Sequence, residues 1–198
     1  YDLKVSLPTR PGKKTIDFTK IDRIQIVACG TAYYAGFVAK YWFEQIAGIV
    51  TDVDVASEFR YREPVLTKNT LALVVTQSGE TADTKAAMEY CKAQGVMTAA
   101  VVNVPTSSIA RECDAILPTL AGVEIGVAST KAFTAQLCAL LATAVAAGRA
   151  RNRFPREEEK KLIAAMLELP RLIGEALKTE RQVAALAIEI AKARDILY

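Results

Sequence analysis

Three short segments of the sequence combine small hydroxyl side chains with glycine or alanine, each shortly after an apolar run. They are "CGTA" (29–32), "TQSGET" (76–81) and "GVASTK" (126–131). A helical pattern follows each segment, and the first turn of a helix leaves backbone N–H groups unpaired beside a partial positive charge. Serine and threonine hydroxyls next to such groups can surround an anion without lysine or arginine. The segments predict a phosphate-binding site, where Gly30 and Gly79 let the backbone approach the ligand.

Helix capping is a simpler interpretation of the same residues. Thr31, Thr81 and Ser129 each stand at the start of a predicted helix, where an N-cap contributes roughly 1 kcal/mol. One cap does not explain "TQSGET", however, because hydrogen-bonding side chains run from Thr76 to Thr81 with only Gly79 between them. The second segment therefore favours a phosphate ligand.

A dinucleotide site is the nearest competing interpretation. "GTAYYAG" (30–36) has Gly30 and Gly36, but Ala32 stands where the fingerprint G-x-G-x-x-G has its second glycine. Asp52 and Asp54 lie about 20 residues further on, where a ribose-binding acid is expected. The incomplete fingerprint makes this interpretation the weaker one.

Candidates for acid–base or nucleophilic chemistry are few. Glu80 and Glu124 are the only acids in the loops that carry the three segments, so either could be a general base, or could only cap backbone or face solvent. Cys29 has no histidine in the chain to activate it, and a core thiol is the better interpretation. The sequence predicts no cofactor and no metal site.

Composition restricts the class of protein. The chain has 198 residues, of which 52% are hydrophobic, and a net charge of +3 that offers no steering field for nucleic acid. Its four cysteines form no C-x-x-C pair, which is typical of a reduced, cytoplasmic protein. The N-terminal residues lack the apolar core of a signal peptide. The apolar stretch 132–148 contains Gln136 and two threonines and favours a buried helix over a membrane span.

The elements that must position these residues alternate along the chain. Apolar runs at 24–30, 51–59, 71–76, 97–104 and 115–120 predict strands, and helical patterns separate them. This order predicts an α/β fold, a three-layer α/β/α sandwich around a doubly wound, flavodoxin-like parallel sheet. Right-handed crossovers then place every strand-to-helix loop at one edge of the sheet, where ligands bind.

The sequence also predicts three regions. Residues 1–20 are expected to be a linker or arm, because prolines and glycine interrupt them, and residues 21–150 form the α/β domain. Residues 151–198 predict a helical C-terminal extension of two amphipathic helices, broken near Pro170 or Thr179, with no strand before "DILY" (195–198). Such helices usually pack against the main domain or a partner.

The quoted segments, together with "ASEFRYR" (56–62) and "EIGVASTKAFTAQL" (124–137), resemble the first sugar isomerase (SIS) domain of the glutamine:fructose-6-phosphate aminotransferases. The resemblance extends from about Ile21 to Tyr198. It implies a domain of an enzyme that makes glucosamine 6-phosphate from fructose 6-phosphate and glutamine. The phosphate-binding positions of that family fall on Thr31, Thr76, Gln77, Ser78 and Thr81. Its sugar contacts fall on Val127 and Ser129.

Some features depart from the family pattern. Ala32 stands where the family usually has serine, and Thr76 replaces a serine but keeps the hydroxyl. No cysteine precedes Cys29 to serve a glutaminase, and the family's catalytic glutamate, histidine and lysines belong to a second SIS domain. The resemblance therefore implies a phosphate-binding piece, inactive alone, whose partners are the glutaminase domain, the second SIS domain and a second copy in a homodimer. A stand-alone sugar-phosphate isomerase or deglycase using Glu80 or Glu124, and a sugar-phosphate sensor module, remain alternatives.

Overall fold

A parallel sheet forms the centre of the protein. The computed structural model describes residues 4–126 and 129–196. Within them, five parallel strands pair in the order β2-β1-β3-β4-β5. The strands are β1 (Arg23–Ala28), β2 (Val50–Val55), β3 (Thr70–Thr76), β4 (Met97–Val102) and β5 (Ala115–Pro118). The helices are α1 (Gly30–Trp42), α2 (Ala56–Arg62), α3 (Ala82–Ala93), α4 (Ser108–Glu112), α5 (Lys131–Ala150), α6 (Arg156–Leu177) and α7 (Glu180–Ile190).

Helices cover both faces of this sheet. Along β3, Leu71, Leu73 and Val75 lie in one core with α1 and α5. The alternate residues Ala72 and Val74 lie in a second core with α2, α3 and α4. Every residue of β3 is buried because neither face of this central strand meets solvent. The predicted three-layer α/β/α sandwich with a doubly wound parallel sheet is confirmed.

Small residues let α1 lie close to the sheet. Ala35, Gly36 and Ala39 are on its buried side. A Cβ atom added at Gly36 would lie 2.7 Å from Cγ2 of Ile26 in β1, nearer than van der Waals contact permits. Glycine at this position therefore sets the distance between α1 and β1, and with it the position of the loop between them.

The predicted strand at 51–59 is wrong beyond Val55. Residues Ala56–Arg62 form α2, because Ala56 and Phe59, three residues apart, are both fully buried on one side of a helix. The other predicted strands agree with the structure to within two residues at each end. Pro118 is the last residue of the edge strand β5, where a missing N–H does not interrupt the sheet.

The described part of the N-terminal arm, residues 4–20, packs against the domain. Phe18 is buried in the core with α5. The Lys13 ammonium donates hydrogen bonds to the carbonyls of Arg111 and Cys113, at 2.7 and 2.6 Å. The Arg149 guanidinium donates to the carbonyl of Val5 at 2.7 Å. These contacts fix the arm along the end of the sheet opposite the strand-to-helix loops that lead into α1 and α3.

Helix α5 is a core helix in this structure. Its length and composition alone would be sufficient for a membrane span, but half of its most apolar stretch is buried inside the domain. It packs against α1 and against the π-helical turn Phe43–Ala47 that continues α1. The predicted buried helix at 132–148 is confirmed.

The C-terminal helices lie mostly outside the core. Of the two predicted break positions, Pro170 is wrong, since α6 continues through it, and the break comes at Lys178 and Thr179. Glu159 and Ile163 are the buried residues of α6, and Glu159 accepts an ion-paired hydrogen bond from Arg149 at 2.9 Å. No residue of α7 is buried. Residues 195 and 196 form no strand, and 197–198 lie outside the described residues.

Candidate phosphate-binding site

The candidate site lies where the chain changes direction across the sheet. Strands β1 and β3 are neighbours, but α1 follows β1 on one face of the sheet and α3 follows β3 on the other. The connection at Cys29 and the loop 77–81 therefore diverge at the carboxyl ends of the two strands. A crevice at such a topological switch point is the usual ligand site of an open parallel sheet.

A cavity of about 210 Å³ occupies this crevice. Six of the predicted binding residues line it: Thr31, Thr76, Gln77, Ser78, Thr81 and Ser129. Val127 lies outside the described residues, so the structure does not place this predicted sugar contact. The three hydroxyl-bearing segments, distant in sequence, thus meet at one cavity.

The loop after β3 holds its hydroxyls in fixed positions. The Thr76 hydroxyl oxygen accepts a hydrogen bond from the Gly79 N–H at 3.1 Å, and the Ser78 hydroxyl oxygen accepts from the Glu80 N–H at 3.2 Å. The Asn103 N–H donates to the carbonyl of Gln77 at 3.3 Å. Because Thr76 and Ser78 accept from backbone, their own O–H hydrogens can be donated to a ligand.

Both predicted glycines adopt backbone angles that favour glycine. The φ angle is +70° at Gly79 and +57° at Gly30. A Cβ atom at Gly79 would lie 2.5 Å from Cβ of Ser107 and closer still to its hydroxyl oxygen. A Cβ atom at Gly30 would meet no atom within 4 Å. The backbone at Gly30 is thus open to approach by a ligand, whereas Gly79 lets the loop pack against the start of α4.

Glu80 binds backbone and does not line the cavity. Its carboxylate accepts a hydrogen bond from the Ser108 N–H, at 2.8 Å, at the start of α4. This bond is the main reason that the pKa of Glu80 is lower than usual. A carboxylate with a lowered pKa is a poor general base at neutral pH. The geometry favours the capping interpretation of Glu80, at α4 and not at α3.

Glu124 lines the cavity, but its carboxylate is also occupied. It accepts hydrogen bonds from the N–H groups of Thr130 and Ala132, at 2.7 and 3.1 Å, and from the Ser129 hydroxyl at 3.1 Å. The Thr130 N–H bond is the largest influence on its pKa, which is lowered. Glu124 thus closes the loop onto the N-terminus of α5, and the alternative that it is merely solvated does not hold.

Capping does not account for the hydroxyl residues. Thr81 occupies the N-cap position of α3, yet its side chain makes no capping hydrogen bond. Thr31 lies inside α1, whose N-cap is Cys29, and the N-cap of α5 is Thr130 rather than Ser129. The first turns of α1 and α3 therefore keep N–H groups for another acceptor.

The dinucleotide interpretation finds no support in the geometry. Asp52 is paired with Arg23, and Asp54 accepts hydrogen bonds from Gln25 at 2.9 Å and Arg62 at 2.7 Å. Both acids belong to the edge strand β2 and line a pocket separate from the cavity. Within residues 4–126 and 129–196, no three acidic or cysteine side chains are grouped to hold a metal ion.

Two polar residues of the cavity were not predicted as site residues. Thr84, on α3, donates its hydroxyl to the sulfur of Cys29, which also lines the cavity, at 3.9 Å. Gln136, on α5, also lines the cavity and is 1% exposed. The sequence signal for Gln136 is its position. An amide side chain stands four residues after Ala132 and four before Leu140, on the buried side of the helix.

The sequence profile of the SIS domain matches residues 17–146, more than half of the chain. The chain belongs to the SIS domain family. The glutamine–fructose-6-phosphate aminotransferase (isomerizing) of Bradyrhizobium diazoefficiens is 62% identical over 195 residues, which are 98% of this chain and 32% of that protein. The protein of the same name from Brucella abortus is 58% identical over 183 residues, covering 92% of this chain and 30% of that protein.

A solved structure agrees with this SIS assignment. The C-terminal domain of glucosamine-fructose-6-phosphate aminotransferase from Francisella tularensis has a TM-score of 0.85 and 38% identity. The match covers 92% of this chain and 53% of that one. The SIS chain thus spans about a third of the length of the curated relatives it matches. The resemblance drawn from the motifs is confirmed.

Proposed function

We propose that this SIS chain binds a sugar phosphate, fructose 6-phosphate or glucosamine 6-phosphate, in the cavity between β1 and β3. It does so as one part of a glutamine–fructose-6-phosphate aminotransferase. The relatives that are 62% and 58% identical carry this enzyme name. The observation that carries the proposal is the meeting of Thr31, Thr76, Ser78 and Thr81 at one cavity beside two helix N-termini.

The arrangement suits a phosphate dianion. The hydroxyls of the cavity supply directed hydrogen bonds, and hydrogen bonds to a charged acceptor are stronger than neutral ones. The N-termini of α1 and α3 add unpaired N–H groups and a partial positive charge. Among the described residues that line the cavity there is no lysine or arginine, so the binding energy would come from these neutral donors.

The proposed role of the chain is binding, and we expect it to form no glucosamine 6-phosphate alone. The sequence contains no histidine, and the carboxylates of Glu80 and Glu124 both accept backbone hydrogen bonds that keep them ionised. The alternatives of an isomerase or deglycase that uses one of these acids as its base are therefore not favoured. Product formation by the pure chain would show that this expectation is wrong.

Calorimetric titration with fructose 6-phosphate tests the proposal directly. Ser78→Ala removes one donor to a charged ligand, which is worth about 1.5–3 kcal/mol, so affinity should fall roughly 10- to 100-fold. Ser108→Ala is the matched control, because Ser108 lies outside the cavity and the backbone N–H that it donates to Glu80 is kept in the variant. Fructose and methyl phosphate separate sugar binding from phosphate binding.

The outcomes distinguish the two interpretations of "TQSGET". Loss of affinity in Ser78→Ala with normal affinity in Ser108→Ala supports the phosphate site. Equal affinity in all three proteins, or no binding by the unaltered chain, contradicts it.

We also propose that the C-terminal helices bind a second copy of the chain, forming a homodimer, unless further domains of the larger enzyme cover them. Val183 and Leu186 of α7 are both more than half exposed, and apolar side chains grouped on a helix usually mark an interface. Light scattering should then give a dimer, and Leu186→Glu a monomer.

The four free cysteines support a reducing, cytoplasmic location for the protein.

A further inference from the structure

Gln136 is the one buried polar side chain of the described residues whose amide oxygen lacks a hydrogen-bond partner. The residue is 1% exposed and lines the cavity from α5. Thr143, a buried polar residue further along the same helix, donates its hydroxyl to the carbonyl of Ala139 at 2.7 Å. The helix thus satisfies Thr143 internally, whereas the described residues offer the oxygen of Gln136 no hydrogen-bond donor.

Buried carbonyl oxygens almost always accept a hydrogen bond, and an unsatisfied one loses its hydration without compensation. A hydrophobic residue of similar size would avoid this loss at a helix position between Ala132 and Leu140. The presence of glutamine therefore indicates a partner that the cavity receives. The cavity is large enough for a ligand group, at about 210 Å³.

The chemistry of the partner follows from that of the oxygen. An amide oxygen only accepts hydrogen bonds, and so does a phosphate dianion, so the two cannot satisfy each other. A sugar hydroxyl can donate. Beside the hydroxyls that can donate to phosphate, the cavity thus contains the amide oxygen of Gln136, which a sugar hydroxyl can satisfy and a phosphate dianion cannot.

We propose that Gln136 is a specificity residue of the cavity, and that its amide oxygen accepts a hydrogen bond from a hydroxyl of the bound sugar phosphate. This proposal rests on the proposed function. Gln136 then distinguishes a sugar phosphate from a phosphate monoester without hydroxyls. A site that hydrogen-bonds a ligand hydroxyl disfavours an analogue that lacks it, because the polar group of the site is left unpaired.

The test compares two ligands on two variants of the 198-residue chain. Gln136→Met keeps the length of the side chain and removes the amide. Affinity for fructose 6-phosphate, measured by calorimetry, should fall roughly tenfold, and affinity for methyl phosphate should change less than about twofold. Thr143→Val, on the same helix but outside the cavity, should change neither affinity.

A melting experiment without ligand separates binding from structure. Gln136→Met should melt at the same temperature as the unaltered chain or higher, since it removes a buried oxygen without a partner. A fall in melting temperature together with equal losses for both ligands would show that Gln136 is structural, and would overturn the proposal. Unchanged affinity for both ligands would overturn it too, and would indicate that water satisfies the oxygen.

The experiment also separates this proposal from the proposed function. If the unaltered chain binds fructose 6-phosphate and Gln136→Met binds it equally well, only the role of Gln136 is wrong. If the unaltered chain binds neither ligand, the phosphate site itself is wrong, and the role of Gln136 with it.

Discussion

Alanine at Gly79 should destabilise the protein more than alanine at Gly30 or Gly95. All three glycines have positive φ angles, of +70°, +57° and +75°. They differ in their surroundings: an added Cβ would meet no atom within 4 Å at Gly30 or Gly95, but would overlap the side chain of Ser107 at Gly79. The three substitutions therefore share backbone strain, and only Gly79→Ala adds a clash.

The expected magnitudes follow from these two terms. A left-handed backbone costs an L-residue about 1–2 kcal/mol. Crowding a packed site by one methyl group adds about 1–3 kcal/mol, so the cost at Gly79 is about 2–5 kcal/mol. For a domain of this size, 1 kcal/mol shifts the melting temperature by about 2–4 °C. Gly30→Ala and Gly95→Ala should lower it by about 2–8 °C, and Gly79→Ala by about 4–20 °C.

Differential scanning calorimetry measures these shifts, and titration with fructose 6-phosphate adds a second comparison. Gly30 is at the proposed site and Gly95 follows α3 at its far end, so Gly30→Ala should weaken binding and Gly95→Ala should not. Two results would refute the reasoning. One is a shift at Gly79 no larger than at Gly95, and the other is equal binding by Gly30→Ala and Gly95→Ala.

Two further predictions concern titratable groups. Because the pKa of Glu124 lies below its usual 4.5 in the folded chain, its charge stabilises the fold above about pH 4.5, and this stability is lost as the pH falls through the lowered pKa. The melting temperature of Glu124→Gln should therefore be lower than that of the unaltered chain at pH 7, with a difference that disappears in acid; a constant difference would contradict this. Burial raises the pKa of Cys91 and Cys113 to about 12, so neither thiol should react with a thiol reagent at pH 8 until denaturant is added.

The fold was predictable because its elements follow simple periodicities. Strands buried on both faces appear in the sequence as continuous apolar runs, and β3 (Thr70–Thr76) is the clearest example. The error at 51–59 arose where the strand β2 continues directly into α2. The alternation of Asp52, Val53 and Asp54 predicts a strand, and no glycine or proline marks its end. Only the packing of Phe59 in the second core shows that a helix begins at Ala56.

The site was predictable where it depends on loops that follow strands. Parallel topology brings such loops to one edge, so the sequence alone assigns the hydroxyls of Thr31 and Ser78 to one site. The partners of the two acids could not be predicted, because the donor to Glu80 depends on how separate loops pack, and the donors to Glu124 depend on how its own loop meets the start of α5. Glu80 is engaged by Ser108, which is 28 residues away in sequence.

Gln136 was not predicted as a site residue because it lies on a helix and not in a loop that follows a strand. A ligand in a switch-point crevice is enclosed by the loops at the strand ends, but a helix that packs across the sheet also forms part of the crevice. Helix α5 packs against α1, and small residues on the buried side of α1 bring the two helices close. A polar residue on the buried side of α5 therefore reaches the cavity that the loops surround. Loops that donate to phosphate and a helix that accepts from a hydroxyl would together select the phosphate and the sugar of one ligand.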